Sequence, residues 1–185
     1  MIIGAFGPQN PGVEWTPSDQ TLITWTFDPS AAISGATLSP AGTLHTFKMH
    51  NLMPASVTNI ILEVSTAGST LTSGQCFLAL YQAGALIGVT ADQSTPWAST
   101  GLKTAALASG PFNITAGDVI VVAWYNGTTG PTFRGGAGSA VCQNAGLATA
   151  SLRFGKADTG KTTTAPSTLG TITANSNVPA WIALS

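Results

Sequence analysis

Short apolar runs separated by turn-forming residues recur along most of the chain. Residues 43–52, TLHTFKMHNL, alternate with a period of two, which places Phe47 and Met49 on the same face as His45 and opposite Thr46, Lys48 and His50. Residues 57–67, VTNIILEVSTA, alternate in the same way and set Ile60, Leu62 and Val64 against Glu63. Both segments are predicted to be strands with one face in a core.

The segment 117–127, GDVIVVAWYNG, is apolar on both faces, which is typical of a central strand covered on both sides. The runs QCFLALYQ and ALIGVTA flank Ala83-Gly84 and predict a hairpin. Further strands are predicted at 21–27, 102–109, 147–154 and 178–185, and loops at 28–42 and 127–146.

Periodicity of the helical kind is not sustained anywhere in the chain. The pattern therefore predicts an all-β fold, a single jelly-roll-like β-sandwich over residues 21–185. Residues 1–20 are rich in Pro and Gly, which favours extended backbone. We expect these residues to form an extended N-terminal arm.

Charged residues make up 7% of the 185 residues, compared with about 25% in an ordinary soluble domain. The six Lys and Arg are scattered, so a nucleic-acid surface is not expected. No apolar run is long enough for a membrane helix, and no membrane insertion is expected. The N-terminus lacks a signal-peptide pattern, so we expect the chain to be made in the cytoplasm and used without secretion, with Cys76 and Cys142 as thiols.

Catalytic patterns are also missing. The chain has two histidines, His45 and His50, which are predicted to point to opposite faces of one strand and to be polar edge or surface residues. No nucleophile elbow, zinc motif or paired-cysteine motif occurs, and the glycine-rich RGGAG at 134–138 lacks the Lys and Ser/Thr of a phosphate-binding loop. We expect no enzyme activity, no metal and no cofactor.

Tryptophans offer the clearest candidates for contacts. Trp124 and Trp181 lie within strand patterns and are expected in the core. Trp97 follows Pro96 in the segment GVTADQSTPWASTG, where it could either stack against a sugar ring or fold back over the end of the sandwich. Candidate binding residues are Trp97, Asp92, Gln93, Tyr125, Asn126 and Arg134, and candidate assembly residues in the arm are Phe6 and Trp15.

Several ordered stretches resemble a known family. They are PSDQTLITWTFDP (17–29), STAGSTLTSGQ (65–75), GVTADQSTPWASTGLKT (88–104), NGTTGPTF (126–133) and AWIALS (180–185). Together they resemble a β-sandwich module of actinobacterial phage virions, a family of minor tail or tail-fibre proteins. The resemblance covers roughly residues 17–185 and leaves the start of the arm outside it.

The resemblance implies a non-enzymatic virion component that contacts other virion proteins and forms a homo-oligomer, such as a trimer. It is also compatible with contact to a host cell-surface glycan. Two alternatives stay open. The chain could be a capsid decoration protein anchored through its arm, or a carbohydrate-binding module that uses Trp97.

Overall fold

The computed structural model describes residues 15–137, 140–174 and 179–185. Within these ranges the chain forms antiparallel strands, short 3-10 turns and one short helix. The strands are β1 (Thr24–Trp25), β2 (Ala32–Thr37), β3 (Leu44–Asn51), β4 (Ala55–Val57), β5 (Asn59–Thr66), β6 (Ser69–Leu71), β7 (Phe77–Gln82), β8 (Ala85–Val89), β9 (Gly101–Ala106), β10 (Phe112–Ile114), β11 (Gly117–Trp124), β12 (Gly127–Thr129), β13 (Thr132–Gly136), β14 (Phe154–Ala157), β15 (Thr173–Ala174) and β16 (Ile182–Leu184), and the helix is α1 (Ala140–Gln143).

Eight of the strands form one nested antiparallel ribbon. The hairpin β7–β8 is enclosed by the pair β5–β9, then by β3–β11, and finally by β2–β13. Successive strands of the ribbon fall into two sheets, with the orders β2-β13-β5-β9 and β3-β11-β7-β8. This strand order is that of a jelly roll, so the predicted all-β sandwich fold is confirmed.

Each sheet carries additional strands. In the first, sheet I, β16 pairs with β5 beside the end of β13 and is itself paired with β1. In the second, sheet II, β14 and β15 lie beyond β3. The additional strands come from the two ends of the described chain, and they meet along one side of the sandwich.

The main core lies between the two sheets. As predicted, Ile60, Leu62 and Val64 of β5 are fully buried there, and Val119 and Val121 of β11 contribute from the opposite sheet. This alternation of buried and half-exposed positions follows from the pleat of each strand. The core therefore fixes the register of both central strands.

A second core covers the outer face of sheet II. Val122 and Trp124 of β11 pack there against apolar residues from the segment 158–172 that follows β14. Trp124 Nε1 donates to the Thr162 carbonyl at 2.9 Å, and Tyr81 Oη donates to the Pro166 carbonyl at 2.8 Å. The central strand is thus covered on both sides, as its doubly apolar sequence predicted.

Several sequence predictions about loops and strands were wrong. The region 28–42 contains β2, and the region 127–146 contains β12, β13 and α1. The run 147–154 forms a 3-10 turn before β14 begins at Phe154. Short strands rich in Gly, Ser and Thr lack the apolar alternation that marks a strand, so their pairing depends on neighbours distant in sequence. The same reason explains why the glycine-rich RGGAG, interpreted as a turn, begins inside β13.

Turn chemistry predicted other features correctly. Ala83 and Gly84 both have positive φ angles, of 50° and 79°, and join β7 to β8 as predicted. Trp124 and Trp181 are buried, also as predicted.

The chain has no helix, within the residues that the structure describes, that is long and apolar enough to cross a membrane. Of the predicted arm, residues 1–14 with Phe6 lie outside the described residues. Trp15 is 55% exposed, and Pro17–Gln20 forms a 3-10 turn next to β1.

Candidate functional site

Most of the sequence-predicted binding residues lie at one end of the sandwich, which we call the loop end. It consists of the connections 38–43, 67–76, 90–100 and 125–131. The connections are tied together by backbone hydrogen bonds: Gly68 N donates to Trp97 O at 2.9 Å, and Gln93 N donates to Cys76 O at 2.6 Å. The topology therefore brings these segments together although they are far apart in sequence.

Asp92 holds two connections of the loop end together through hydrogen bonds. Its carboxylate accepts from Cys76 N at 3.1 Å, from Ser94 N at 3.3 Å and from the Ser94 hydroxyl. Burial raises the pKa of Asp92, but hydrogen bonds from Ser94, Gly74 and Cys76 lower it, and the net shift is downward. An ionised Asp92 whose oxygens already accept several N–H and O–H donors stabilises the loops, and this explains its position without a ligand.

Trp97 cannot stack on a sugar ring at the surface, because its side chain is fully buried. Its ring packs edge-on against Phe133, with centroids 5.3 Å apart. Of the two possibilities that the sequence left open, the Trp folded back over the end of the sandwich is the one observed. The 3-10 turn Pro96–Ala98 carries the ring inward between the two sheets.

The remaining loop-end candidates also have structural partners. Gln93 is buried and donates to the Ala91 carbonyl at 2.8 Å. Asn126 Nδ2 donates to the Lys161 carbonyl at 2.8 Å, and the Tyr125 ring is buried against Gly130. A Cβ atom at Gly130 would overlap this ring, so the close approach requires glycine.

Arg134 lies elsewhere, on the outer face of sheet I. Its guanidinium forms a two-pronged pair with Glu63, with Nη2 to Oε1 at 2.7 Å and Nε to Oε2 at 3.2 Å. The hydrogen bond from Arg134 lowers the pKa of the Glu63 carboxyl. The six predicted binding residues therefore do not form one site.

A groove of about 550 Å³ lies on the side of the sandwich, and no sequence pattern indicated it. We call it the lateral groove. Its lining residues come from β1 and the preceding turn, the C-terminal half of β3, the start of β11 and the segment before β14: Pro17, Thr24, Trp25, Thr26, Phe27, Lys48, Met49, His50, Leu52, Asp118, Leu147, Ser151 and Arg153.

The groove exists because β14 covers only part of β3. Strand pairing between them runs over Leu44–Phe47 and ends with a hydrogen bond from Lys48 N to Arg153 O at 2.7 Å. Beyond that point β1 approaches β3, and the Thr24 hydroxyl donates to the His50 carbonyl at 2.9 Å. The groove is the gap that remains between the end of β14 and the strand β1.

The polar rim of the groove is organised around Asp118. Its carboxylate lies 2.9 Å from His50 Nδ1 and 3.4 Å from Lys48 Nζ. The hydrogen bond from His50 lowers the pKa of Asp118, and the charge of Lys48 acts in the same direction. Across the groove, Arg153 Nη2 donates to the Thr26 carbonyl at 2.6 Å.

The pair His50–Asp118 resembles the base and orienting acid of a nucleophilic hydrolase. A hydrolase also requires a nucleophile bonded to the other ring nitrogen. Across the described parts of the chain, no hydroxyl or thiol group is hydrogen-bonded to the His50 side chain. The hydrogen bond between His50 Nδ1 and Asp118 Oδ1, at 2.9 Å, therefore serves here to order the rim.

The floor and walls of the groove are mainly apolar. Trp25 and Phe27 are partly exposed, and Met49 is buried at the base. Leu52 and Leu147 stand at the rim with 80% and 40% of their surface exposed. An open apolar groove with rigid strand walls is suited to bind apolar side chains of a protein segment.

His45 was predicted at an edge or the surface, and this was wrong, because the residue is only 2% exposed. Its Nε2 accepts a hydrogen bond from Ser39 N at 3.1 Å. His50 is exposed, so the two histidines do lie in different environments, as their spacing suggested.

The structure, over its described residues, contains no cluster of three or more His, Cys, Asp or Glu side chains suited to a metal ion. Cys76 is buried and Cys142 is exposed on α1, and no disulfide joins them.

No family model matches the chain, and no curated protein matches it.

Proposed function

We propose that the chain is a non-enzymatic structural protein of a phage particle, a minor tail or tail-fibre component. It acts through contacts with other proteins rather than through chemistry. The observation that carries the proposal is the jelly-roll sandwich with an open apolar groove next to the root of the N-terminal arm. Jelly rolls recur among virion proteins, and exposed apolar patches typically mark protein interfaces.

The distribution of hydrogen bonds supports a mechanical role. The side chains of Asp92 and Asn126 join segments that are distant in sequence, and the Gln93 side chain bonds within its own connection. The segment 158–172 closes the outer face of sheet II. A particle component exposed to proteases benefits from loops that are held at several points, because cleavage requires local unfolding.

The sequence resemblance to phage tail and fibre modules supports the same proposal and gives the particle class. Fold alone does not determine function, so the particle location needs a direct test. A role in binding host glycans through Trp97 loses its physical basis, since that ring is buried.

The test is quantitative mass spectrometry of particles purified from cells that carry the gene for this chain. We expect the chain to co-purify with the particles at a few to a few dozen copies each, and antibodies against it to label the tail by electron microscopy. Particles that lack the chain would overturn the proposal. Hundreds of copies per particle with label on the shell would contradict the tail assignment and favour the capsid decoration role.

A further inference from the structure

We propose that the lateral groove of one copy binds the apolar N-terminal tip, residues 1–6, of a second copy. This inference deepens the assembly role proposed above by naming the site and its partner. It concerns purified protein in solution, so it can fail while the particle assignment stands.

The chemistry of the groove fits an apolar segment. Trp25 and Phe27 form the wall next to the arm, Met49 forms the base, and Leu52 and Leu147 remain exposed at the rim. The tip MIIGAF carries Met1, Ile2, Ile3 and Phe6, four large apolar side chains within six residues. Covering these side chains and the exposed leucines removes apolar surface from water on both partners.

Charge does not oppose this contact. The groove presents the cations Lys48 and Arg153 and the acid Asp118, which is paired with Lys48 at 3.4 Å. Residues 1–14 contain no Lys, Arg or His, and their only acidic residue is Glu14. The segment therefore brings no side-chain cation towards the two cations of the groove.

The position of the arm favours exchange between copies. Pro17, the third residue of the described structure, itself lines the groove. Ten residues separate Phe6 from Pro17 and include Pro8 and Pro11, which favour extended backbone. Extended, they span roughly 30–35 Å. A segment of that length is long enough to connect Pro17 of one copy to the groove of a neighbouring copy.

The experiment is a photo-cross-link on the full chain with Phe6 replaced by p-benzoyl-L-phenylalanine. A mixture of ¹⁴N- and ¹⁵N-labelled protein distinguishes links between copies from links within one copy. We expect peptides of mixed isotope composition that join position 6 to Met49 or its groove neighbours. Links within one copy, or links to a surface outside the groove, would overturn the proposal.

Matched variants test the groove independently of the cross-linker. Leu147→Asp should weaken self-association by at least about tenfold in analytical ultracentrifugation, because an apolar contact is replaced by a charge. Leu102→Asp, at a residue 67% exposed on sheet I, is the control and should change self-association less than about twofold. Both leucines are exposed, and a circular dichroism melt confirms that each variant is folded.

Deletion of residues 1–6 gives the reciprocal test. The truncated protein should have the same weakened self-association as Leu147→Asp, and combining the two changes should add nothing further, since both remove one contact. A wild-type chain that stays monomeric at all accessible concentrations would refute the proposal. Full self-association after the deletion would refute it equally.

Discussion

Two tryptophans close to prolines show how strongly the surrounding tertiary structure decides the role of a residue. Trp97 follows Pro96 and is fully buried between the sheets, whereas Trp15 lies two residues before Pro17 and is 55% exposed. From the local sequence alone, both residues are expected to be aromatic side chains in loops. The difference arises because the 3-10 turn at Pro96–Ala98 sits over the open end of the core.

We predict that Trp97→Ala destabilises the fold by about 3–5 kcal/mol, because it leaves a large cavity beside Phe133. Trp15→Ala is the matched control and should change the free energy of unfolding by less than about 0.5 kcal/mol. Urea denaturation followed by circular dichroism measures both. Equal effects of the two substitutions would show that Trp97 is not part of the core.

His45 makes stability depend on pH. Burial, and secondarily the charge of Lys156, lower the pKa of His45 to about 4 in the folded protein, compared with 6.5 for an ordinary histidine. Between these values the unfolded chain binds a proton that the folded chain does not, so stability is lost as the pH falls from 6.5 towards 4. From pH 7 to pH 5 the loss is about 2 kcal/mol.

This loss should be visible as a lower urea midpoint at pH 5 than at pH 7. His45→Gln removes the titrating group but keeps an acceptor that can face Ser39 N, so its midpoint should depend less on pH over this range. A variant with the same pH dependence as the wild-type chain would assign the effect to other groups.

The residues of the candidate site show where sequence reasoning stops. The buried faces of β3 and β5 followed from alternation alone, because a strand has a period of two. Asp92 and Asn126 were predicted as binding residues, but both have structural partners, Cys76 and Lys161, which lie 16 and 35 residues away in sequence. Long-range pairing of this kind has no local signal.

Among the structural elements, the segment 158–172 covers the outer face of sheet II. It has no regular structure of its own, yet it supplies the carbonyl acceptors for Tyr81 and Trp124 and packs Ala165 and Ile172 over the strands. The segment itself is rich in Thr and lacks apolar alternation, and only the doubly apolar pattern of β11 indicated that something must cover that strand.

We expect Tyr81→Phe to loosen this cover without disturbing the main core. The substitution removes the hydrogen bond from Tyr81 Oη to the Pro166 carbonyl, at a cost of about 0.5–1.5 kcal/mol. Hydrogen exchange monitored by mass spectrometry should speed up within residues 158–172 and remain unchanged in β5. Faster exchange throughout the chain would contradict an independent cover.

The lateral groove also depends on how whole strands pair with one another. The run 21–27 predicted a strand, but only Thr24–Trp25 pairs, with β16 at the other end of the sequence. No pattern along the chain indicates that β14 stops opposite Phe47 and leaves the rest of β3 uncovered on that side. The groove is a product of register between distant strands, and it could not be predicted from the sequence alone.

At the scale of the whole molecule, the low charge content has a measurable consequence. The chain carries six basic and seven acidic residues, and the ion pairs recorded among the described residues are at least partly exposed. Surface ion pairs contribute about 0–1 kcal/mol and are screened by salt. Stability should rest almost entirely on apolar burial and hydrogen bonds.

We therefore predict that the melting temperature at pH 7 differs by less than about 3 °C between 20 mM and 300 mM NaCl. Differential scanning calorimetry measures it, and Glu63→Gln provides the comparison. Since that substitution weakens the Arg134 pair, the remaining salt dependence should be smaller still. A large drop in melting temperature with salt would show that charge pairs contribute more than the structure indicates.

The nested ribbon also sets the order in which the molecule can form during synthesis. The hairpin β7–β8 is complete early, but β2 must wait about 100 residues for its partner β13, and β1 waits until β16 has been made. Until β16 has been made, β1, which forms one wall of the lateral groove, has no strand to pair with. A growing chain thus completes the wall of the lateral groove only after β16 has been made, when nearly the whole sequence has been synthesised.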